Sequence, residues 1–403
     1  MRAKLRLVLA CWGLVFASAA CAQDIKPPIV GLISMGPYSF VGEDNEGGQP
    51  KVQPRNRIAA LRGYENIFSG IVIVATWQQL QPRKDGPLRR NVIDNMLNQI
   101  RSYNARHEKK LYVKLRVWGG YMAPLWAKRL NVGIIPIQDL PIHVEHTNVD
   151  QRVIKSTLGM FWTKEYREKF AKLQDLLADA YDKEELIREV AITQCMSLTS
   201  EPFFLPTAVG PNDNVIPQLT KYGFTSAQYK DCLMKSVHDY KAWKRTRLVL
   251  AVNPYPVQDG SDDGGTLFTA RVISECRSAV GKRCVLDNHD LEWLEMPALD
   301  PLYAMIKDAG PEIEFQTFKP NPTFFAETIM HGVRLGATGI ELYQDYGGFA
   351  CVPQPVLRQW ARWLETGVID GPVLPVPPPP TLPPGAKRTV YCPPAVDPRG
   401  KRR

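Results

Sequence analysis

The amino-acid sequence predicts a (β/α)8 TIM barrel with long loops and a Pro-rich C-terminal tail. Three observations carry that expectation. Eight short apolar runs between residues 29 and 343 alternate with segments of helical periodicity, the pattern of repeated strand–helix units. A chain of 403 residues has room for one such barrel. No Gly-rich phosphate turn follows the first run and no P-loop occurs, which argues against a doubly wound sheet.

The chain opens with Arg2, Lys4 and Arg6 ahead of an apolar run from Leu7 to Ala20, closed by small residues. This is the pattern of a secretory signal peptide and is shorter than a typical membrane span. Cleavage after Ala20-Cys-Ala22 makes residues 1–22 the leader and the protein secreted or periplasmic. Cys21, preceded by Ser-Ala-Ala, offers an alternative first residue carrying a lipid anchor. No other stretch could span a membrane.

The strand candidates are Ile29–Ser34, Gly70–Ala75, Leu111–Val117, Glu189–Met196, Arg247–Val252, Arg283–Asp287, Glu312–Thr317 and Gly339–Tyr343. Helices are expected over Asn91–Asn104, where Ile93, Met96, Leu97 and Ile100 share one face, over Lys164–Asp182, and over Phe324–Leu335 ending at Gly336. From Gly371 the composition changes to a polyproline-type stretch, Pro372, Pro375, Pro377 to Pro380, Pro383 and Pro384, which has no means of building a core. Residues 23–370 are therefore the barrel, and residues 371–403 an extended strap or tail.

The formal net charge of +9 sits at the two ends. The leader carries three bases and no acid. The tail carries Lys387, Arg388, Arg399, Lys401, Arg402 and Arg403 against Asp397 alone. The chain between is close to neutral, so no nucleic-acid footprint is read in it. Six cysteines lie beyond the leader: Cys195, Cys232, Cys276, Cys284, Cys351 and Cys392. An even number in an exported chain suggests disulfides. Many pairings are open. Cys276–Cys284 would close a short loop, Cys195–Cys232 would brace the segment after the fourth strand, and Cys351–Cys392 would pin the tail. No CxxC or tight Cys/His cluster points to zinc.

Strand C-termini face the active site in such barrels, so residues there are candidates for chemistry. Leu198-Thr-Ser-Glu-Pro202 and Pro311-Glu-Ile-Glu-Phe-Gln-Thr-Phe318 each place a Glu near a strand end. Two carboxyl groups delivered from different strands to one end of a barrel are what hydrolysis of a sugar acetal needs. Glu201, beside a Pro and two aromatics, is expected to be partly desolvated, with a raised pKa suited to protonating a leaving oxygen. A solvated loop Glu is the plain alternative. Alternation puts Glu312, Glu314 and Gln316 on one strand face, an unusual polar face for a barrel core, although a buried ion pair would also explain it. Glu341 could be a third carboxylate in the pocket and reads more readily as a structural partner for a barrel Arg. Asp287-Asn-His-Asp290 ends the sixth strand, where Asn288 and His289 could bind sugar hydroxyls or shape a turn. Trp77, Arg116 and Trp118 end the second and third strands. Aromatic faces stack on sugar rings and Arg orients carboxylates, or these residues simply pack.

Val74-Ala-Thr-Trp-Gln-Gln-Leu-Gln-Pro82 followed by Asp85-Gly86 resembles the second-strand segment of the β-galactosidase-like and cellulase-like barrels of the large retaining glycoside hydrolase clan. Lys114-Leu-Arg-Val-Trp-Gly-Gly with Ala123-Pro-Leu-Trp126 is similar to their third strand, and Thr-Ser-Glu-Pro at 199–202 to their Asn-Glu-Pro motif. Glu314-Phe-Gln316 and Gly336-Ala-Thr-Gly-Ile-Glu-Leu-Tyr343 resemble their nucleophile strand and last strand. The resemblance implies Glu201 as acid/base and Glu314 as nucleophile; Trp77, Arg116, Trp118, Asn288, His289, Gln316 and Tyr343 are the candidates for binding a carbohydrate substrate. No metal or organic cofactor is needed. Ser200 stands where that clan has an Asn. The expectation is an exported retaining glycoside hydrolase. The alternative is a catalytically inactive barrel that binds polysaccharide in an envelope or secretion assembly. A hydrolase using Asp287 or Asp290 is a third possibility.

Overall fold

The computed structural model describes residues 24–36, 40–43, 50–52, 58, 61–131, 133–137, 156–197, 201–202, 216–255, 265–292, 299–317, 324–343 and 349–376. The leader with Cys21, Ser200, most of the tail and Cys392 lie outside them. Eight parallel strands form the core: β1 (Gly31–Gly36), β2 (Gly70–Thr76), β3 (Tyr112–Trp118), β4 (Ile187–Ala191), β5 (Arg247–Ala251), β6 (Cys284–Asp287), β7 (Glu314–Gln316) and β8 (Gly339–Tyr343). Their order is β6-β5-β4-β3-β2-β1-β8-β7. Parallel bridges Leu286–Ile313 and Leu291–Thr317 join β6 to β7 and close the barrel. The amide of Leu286 donates to Glu312 O at 3.1 Å and that of Gln316 to Asn288 O at 2.9 Å across this seam.

Strands buried on both faces read as continuous apolar runs, which is why the sequence exposes them. All seven residues of β2 are buried. The helices α1 (Asn91–Asn104), α2 (Lys164–Tyr181), α3 (Ser226–Ser236), α4 (Thr266–Val280), α5 (Asp300–Asp308), α6 (Phe325–Arg334) and α7 (Gln354–Thr366) each turn an apolar stripe inward. Just past α6, Gly336 takes φ +92°, the left-handed turn that only glycine adopts without strain. Two antiparallel pairs outside the barrel, Phe40–Glu43 with Pro50–Val52 and Ile135–Ile137 with Ser156–Leu158, were not anticipated by the apolar pattern.

The fourth strand is the clearest departure. The apolar run from 189 to 196 suggests a strand to Met196, but β4 ends at Ala191. The chain then turns: the Thr193 amide donates to Tyr240 Oη at 2.9 Å, and Cys195 has φ +67°. These residues are buried because they pack under the mouth, the C-terminal end of the barrel, and not because they belong to the sheet.

The bottom of the barrel is sealed by the segment before β1. Lys26 Nζ donates to Glu184 O at 2.8 Å, Ile187 O at 2.7 Å and Thr246 Oγ1 at 2.9 Å. Disulfides Cys195–Cys232 and Cys276–Cys284 are both formed, with sequence separations of 37 and 8. Loop-closure entropy gives about 4 kcal/mol for the longer link and about 2.5 kcal/mol for the shorter. Replacing Cys195 and Cys232 together by Ala should therefore lower the unfolding midpoint in urea more than replacing Cys276 and Cys284. The reverse order would show that the longer link is not the main cross-link.

Candidate functional site at the barrel mouth

The barrel interior is charged where branched apolar side chains usually fill it. At its lower end Glu314 is paired in register with Gly339, which pairs with Gly31. These are the first residues of β8 and β1. A Cβ on Gly339 would sit 3.3 Å from Glu314 Cδ, so the glycine leaves room for the carboxyl group. Glu189 lies at the same depth, its Oε1 accepting from the Ile29 amide at 2.7 Å. Lys114 Nζ contacts Glu314 Oε2, lies 2.6 Å from Glu341 Oε1 and 3.8 Å from Asp287 Oδ2, and is fully buried.

Burial pulls the Lys114 pKa down, but Glu314, Glu341 and Asp287 together raise it well above the ordinary value. Burial and the neighbouring Glu189 push the Glu314 carboxyl far up. Burial raises Glu189 as well. Oxygens of Asp287, Glu314 and Glu341 lie within 4.8 Å of one another, a spacing that could hold a metal ion, but the Lys114 ammonium already stands among them.

One layer higher, Arg116 Nη2 donates to both oxygens of Glu341 at 2.9 Å. Burial opposes ionisation of Glu341, and Arg116 and Lys114 overcome it, so its pKa is lowered. Arg116 Nη1 donates to Gln316 Oε1 at 3.2 Å, and Gln316 Nε2 donates to Tyr343 Oη at 2.6 Å.

At the top stands His289. Its Nε2 is 3.2 Å from Asp287 Oδ2 and its Nδ1 is 3.1 Å from Glu201 Oε1. Asn253 Nδ2 donates to Glu201 Oε2 at 2.9 Å. Burial would neutralise the imidazole, but Glu201 and Asp287 raise its pKa to about 10, so it is a cation at neutral pH. Both carboxylates respond. Burial raises each, and the His289 charge helps bring Glu201 and Asp287 below their ordinary values.

The linkage has a definite sign. A histidine whose pKa is raised on folding contributes stability that is complete below its unfolded value of about 6.5 and is lost as the pH rises toward 10. Arg116 Nη2, 3.4 Å from Nε2, also faces the ring and stays charged throughout this window. His289→Gln should flatten the fall in unfolding free energy between pH 6.5 and 10. Parallel wild-type and variant curves would show that the two ion pairs are not made.

Local structure holds Glu201 in place although it lies ten residues beyond β4. Gly120, at φ +51°, brings its backbone so close to this loop that a Cβ would sit 2.1 Å from Ser197 O. The Tyr121 amide donates to that oxygen at 3.0 Å. Cys195–Cys232 ties the loop to α3, and Tyr229 Oη of α3 donates to Pro202 O at 2.8 Å. The Glu201 side chain keeps 12% exposure.

The two glutamates singled out from the sequence do not meet. Between Glu201 and Glu314 stand, in series, the His289 imidazole, the Asp287 carboxylate and the Lys114 ammonium. Glu314 occupies the buried ion pair that was its plain alternative. Glu201 also departs from expectation: it is held below the ordinary carboxyl pKa, not raised.

Trp77 is fully buried, edge-on to Trp126, Tyr166 and Phe170 at 5.2–5.3 Å. Trp118 ends β3 almost wholly buried, its ring 6.0 Å from Tyr121. Asn288 shapes the turn, with Nδ2 donating to Val252 O and Oδ1 accepting from the Asp290 amide. Arg116, His289, Gln316 and Tyr343 line the charged column. Sequence reasoning passed over Asn253, Glu189 and Lys114. Asn253 directly follows the fifth strand candidate, so the strand-end rule that selected the others would have found it.

No family model and no curated protein matches the chain. It is similar to solved structures. The catalytic domain of a β-amylase from Paenibacillus polymyxa is 9% identical, with 79% of this chain and 92% of that one covered and a TM-score of 0.47. Endo-glycoceramidase II from Rhodococcus sp. is 14% identical over 79% and 75% of the two chains, TM-score 0.47. XacCel5A in complex with cellopentaose is 11% identical over 78% and 89%, TM-score 0.44. At these values the likeness adds nothing to what the strand order establishes.

Proposed function

We propose that this barrel is an exported glycoside hydrolase and that Glu201 is its nucleophile. The observation that carries the reading is the state of Glu201. It is a carboxylate at the mouth of a (β/α)8 barrel, ionised, with one oxygen held by the His289 imidazolium and the other by the Asn253 amide. A carboxylate fixed on both oxygens and kept free of its proton is suited to attack on an anomeric carbon and unsuited to donating a proton. The Thr-Ser-Glu-Pro motif and the third-strand segment support a glycan as substrate. The leader pattern and two disulfides suit an oxidising compartment outside the cytoplasm. In this reading Lys114, Glu314 and Glu341 form the rigid base beneath the site.

The test is release of reducing sugar from a broad panel of polysaccharides by the mature protein. Turnover that Glu201→Gln abolishes supports the reading. A second reading is favoured by one observation: Gln316, an amide, holds the mouth end of β7, while Glu314, the carboxyl group that the resemblance implies as nucleophile, is fully buried below it. It is a glycan-binding barrel without turnover, and it predicts glycan binding that survives Glu201→Gln with no hydrolysis of any substrate.

A further inference from the structure

We infer that Asp290 is the proton donor that works opposite Glu201, an assignment that rests on the glycosidase reading above. Asp290 lies three residues beyond β6, next to His289, and is half-buried. Its backbone is fixed from three sides. The amide donates to Asn288 Oδ1 at 3.0 Å, Tyr303 Oη of α5 donates to its carbonyl at 2.7 Å, and the Leu291 amide that follows donates to Gln316 O at 3.0 Å. Its carboxyl group, by contrast, has no hydrogen-bond or ion-pair partner among the described residues. Every other carboxyl group of the column is engaged by Lys114, Arg116, His289, Asn253 or the Ile29 amide. Asp290 is thus a carboxyl group on a rigid backbone at the mouth, left available to a ligand.

The charges facing Asp290 are Glu201 from the β4 loop, Glu292 and His289 from its own segment, and the Tyr303 hydroxyl from α5. Burial first, then Glu292 and Glu201, raises its pKa to about 6, while His289 works against them. Below about pH 6 Asp290 keeps its proton while Glu201 is ionised, and two carboxyl groups pushed apart in this way divide the roles of anion and acid.

The chemistry balances without a further reagent. A Glu201 oxygen bonds to the anomeric carbon as the carbon–oxygen bond to the leaving group breaks. That electron pair goes to the leaving oxygen, which takes the Asp290 proton. The Asp290 carboxylate then removes a proton from water as the water oxygen displaces Glu201, which restores both groups.

The test compares the wild type, Asp290→Asn and Glu201→Gln on paired panels of methyl and 4-nitrophenyl glycosides of mono- and disaccharides. A nitrophenolate leaving group needs no proton, whereas an alkoxide does. Asp290→Asn should lose about 10²–10⁴-fold on methyl glycosides. On nitrophenyl glycosides it should release a burst of nitrophenol equal to the enzyme and then stall. Added azide, which attacks the intermediate without a base, should restart it. The fall in wild-type rate above about pH 6 should vanish in the variant. If Glu201→Gln abolishes turnover while Asp290→Asn treats both panels as the wild type does, the Asp290 assignment is overturned and the glycosidase reading stands. If the wild type turns over neither panel nor any polysaccharide, both fall.

Discussion

Lys114→Met should destabilise the protein by about 3–5 kcal/mol, the cost of stranding buried charges by removing one partner. Lys114 is fully buried and is the cation shared by Glu314, Glu341 and Asp287. Methionine keeps much of the volume, so packing alone predicts a small change. Losing the ammonium leaves Glu341 its ion pair with Arg116, and Asp287 its ion pair with His289. Denaturant unfolding measures the difference. The companion variant is Lys114→Met with Glu314→Leu, which removes the ammonium together with the carboxyl group in closest contact with it, and buried pairs replaced by apolar groups are often tolerated. The double variant should recover part of the loss. If the single variant is as stable as the wild type, the column is not a set of paired charges.

Glu201→Gln should cut turnover on the order of 10⁴–10⁶-fold, the scale of losing a nucleophile or its direct partner in other enzymes. Glutamine is isosteric and the site is near the surface, so the variant should fold and keep the Cys195–Cys232 link. Its effect on binding should be small relative to its effect on rate, because the bond to the anomeric carbon is made only along the reaction path. Glu314→Gln provides the contrast. It should cost about 1–3 kcal/mol of stability through its buried contact with Lys114 and leave the rate of the folded fraction within a few-fold. Rate lost in Glu314→Gln and kept in Glu201→Gln would reverse the assignment.

The barrel was legible because parallel strands buried on both faces are apolar throughout, and seven of the eight candidate runs overlap their strands to within a few residues. The fourth misled because Ile192 and Met196 are apolar and buried without being strand. The site was legible only in part. Alternation along β7 correctly places Glu314 inside, but alternation gives a face and not a height. Height follows from the pairing of Glu314 with Gly339, which depends on how β8 aligns with its neighbours, and no local pattern records that. The meeting of Glu201 with His289 is equally invisible, since it joins a loop after β4 to the end of β6. The depressed pKa of Glu201 follows from that meeting, so a reading of its Pro and aromatic neighbours alone had to give the wrong sign.

The charged column also bears on how the sheet chooses its alignment when it closes. An all-apolar barrel interior would accept a strand displaced by two residues, since the same face still points inward and only volumes change. Here such a slip of β7 would set Gln316 against Lys114 and carry Glu314 out of reach, while Arg116 would lose its amide partner. That closure would leave the Lys114 ammonium without its closest carboxyl partner. The column therefore penalises that slip, so that the same contacts that stiffen the floor beneath Glu201 also favour the strand register on which the mouth is built.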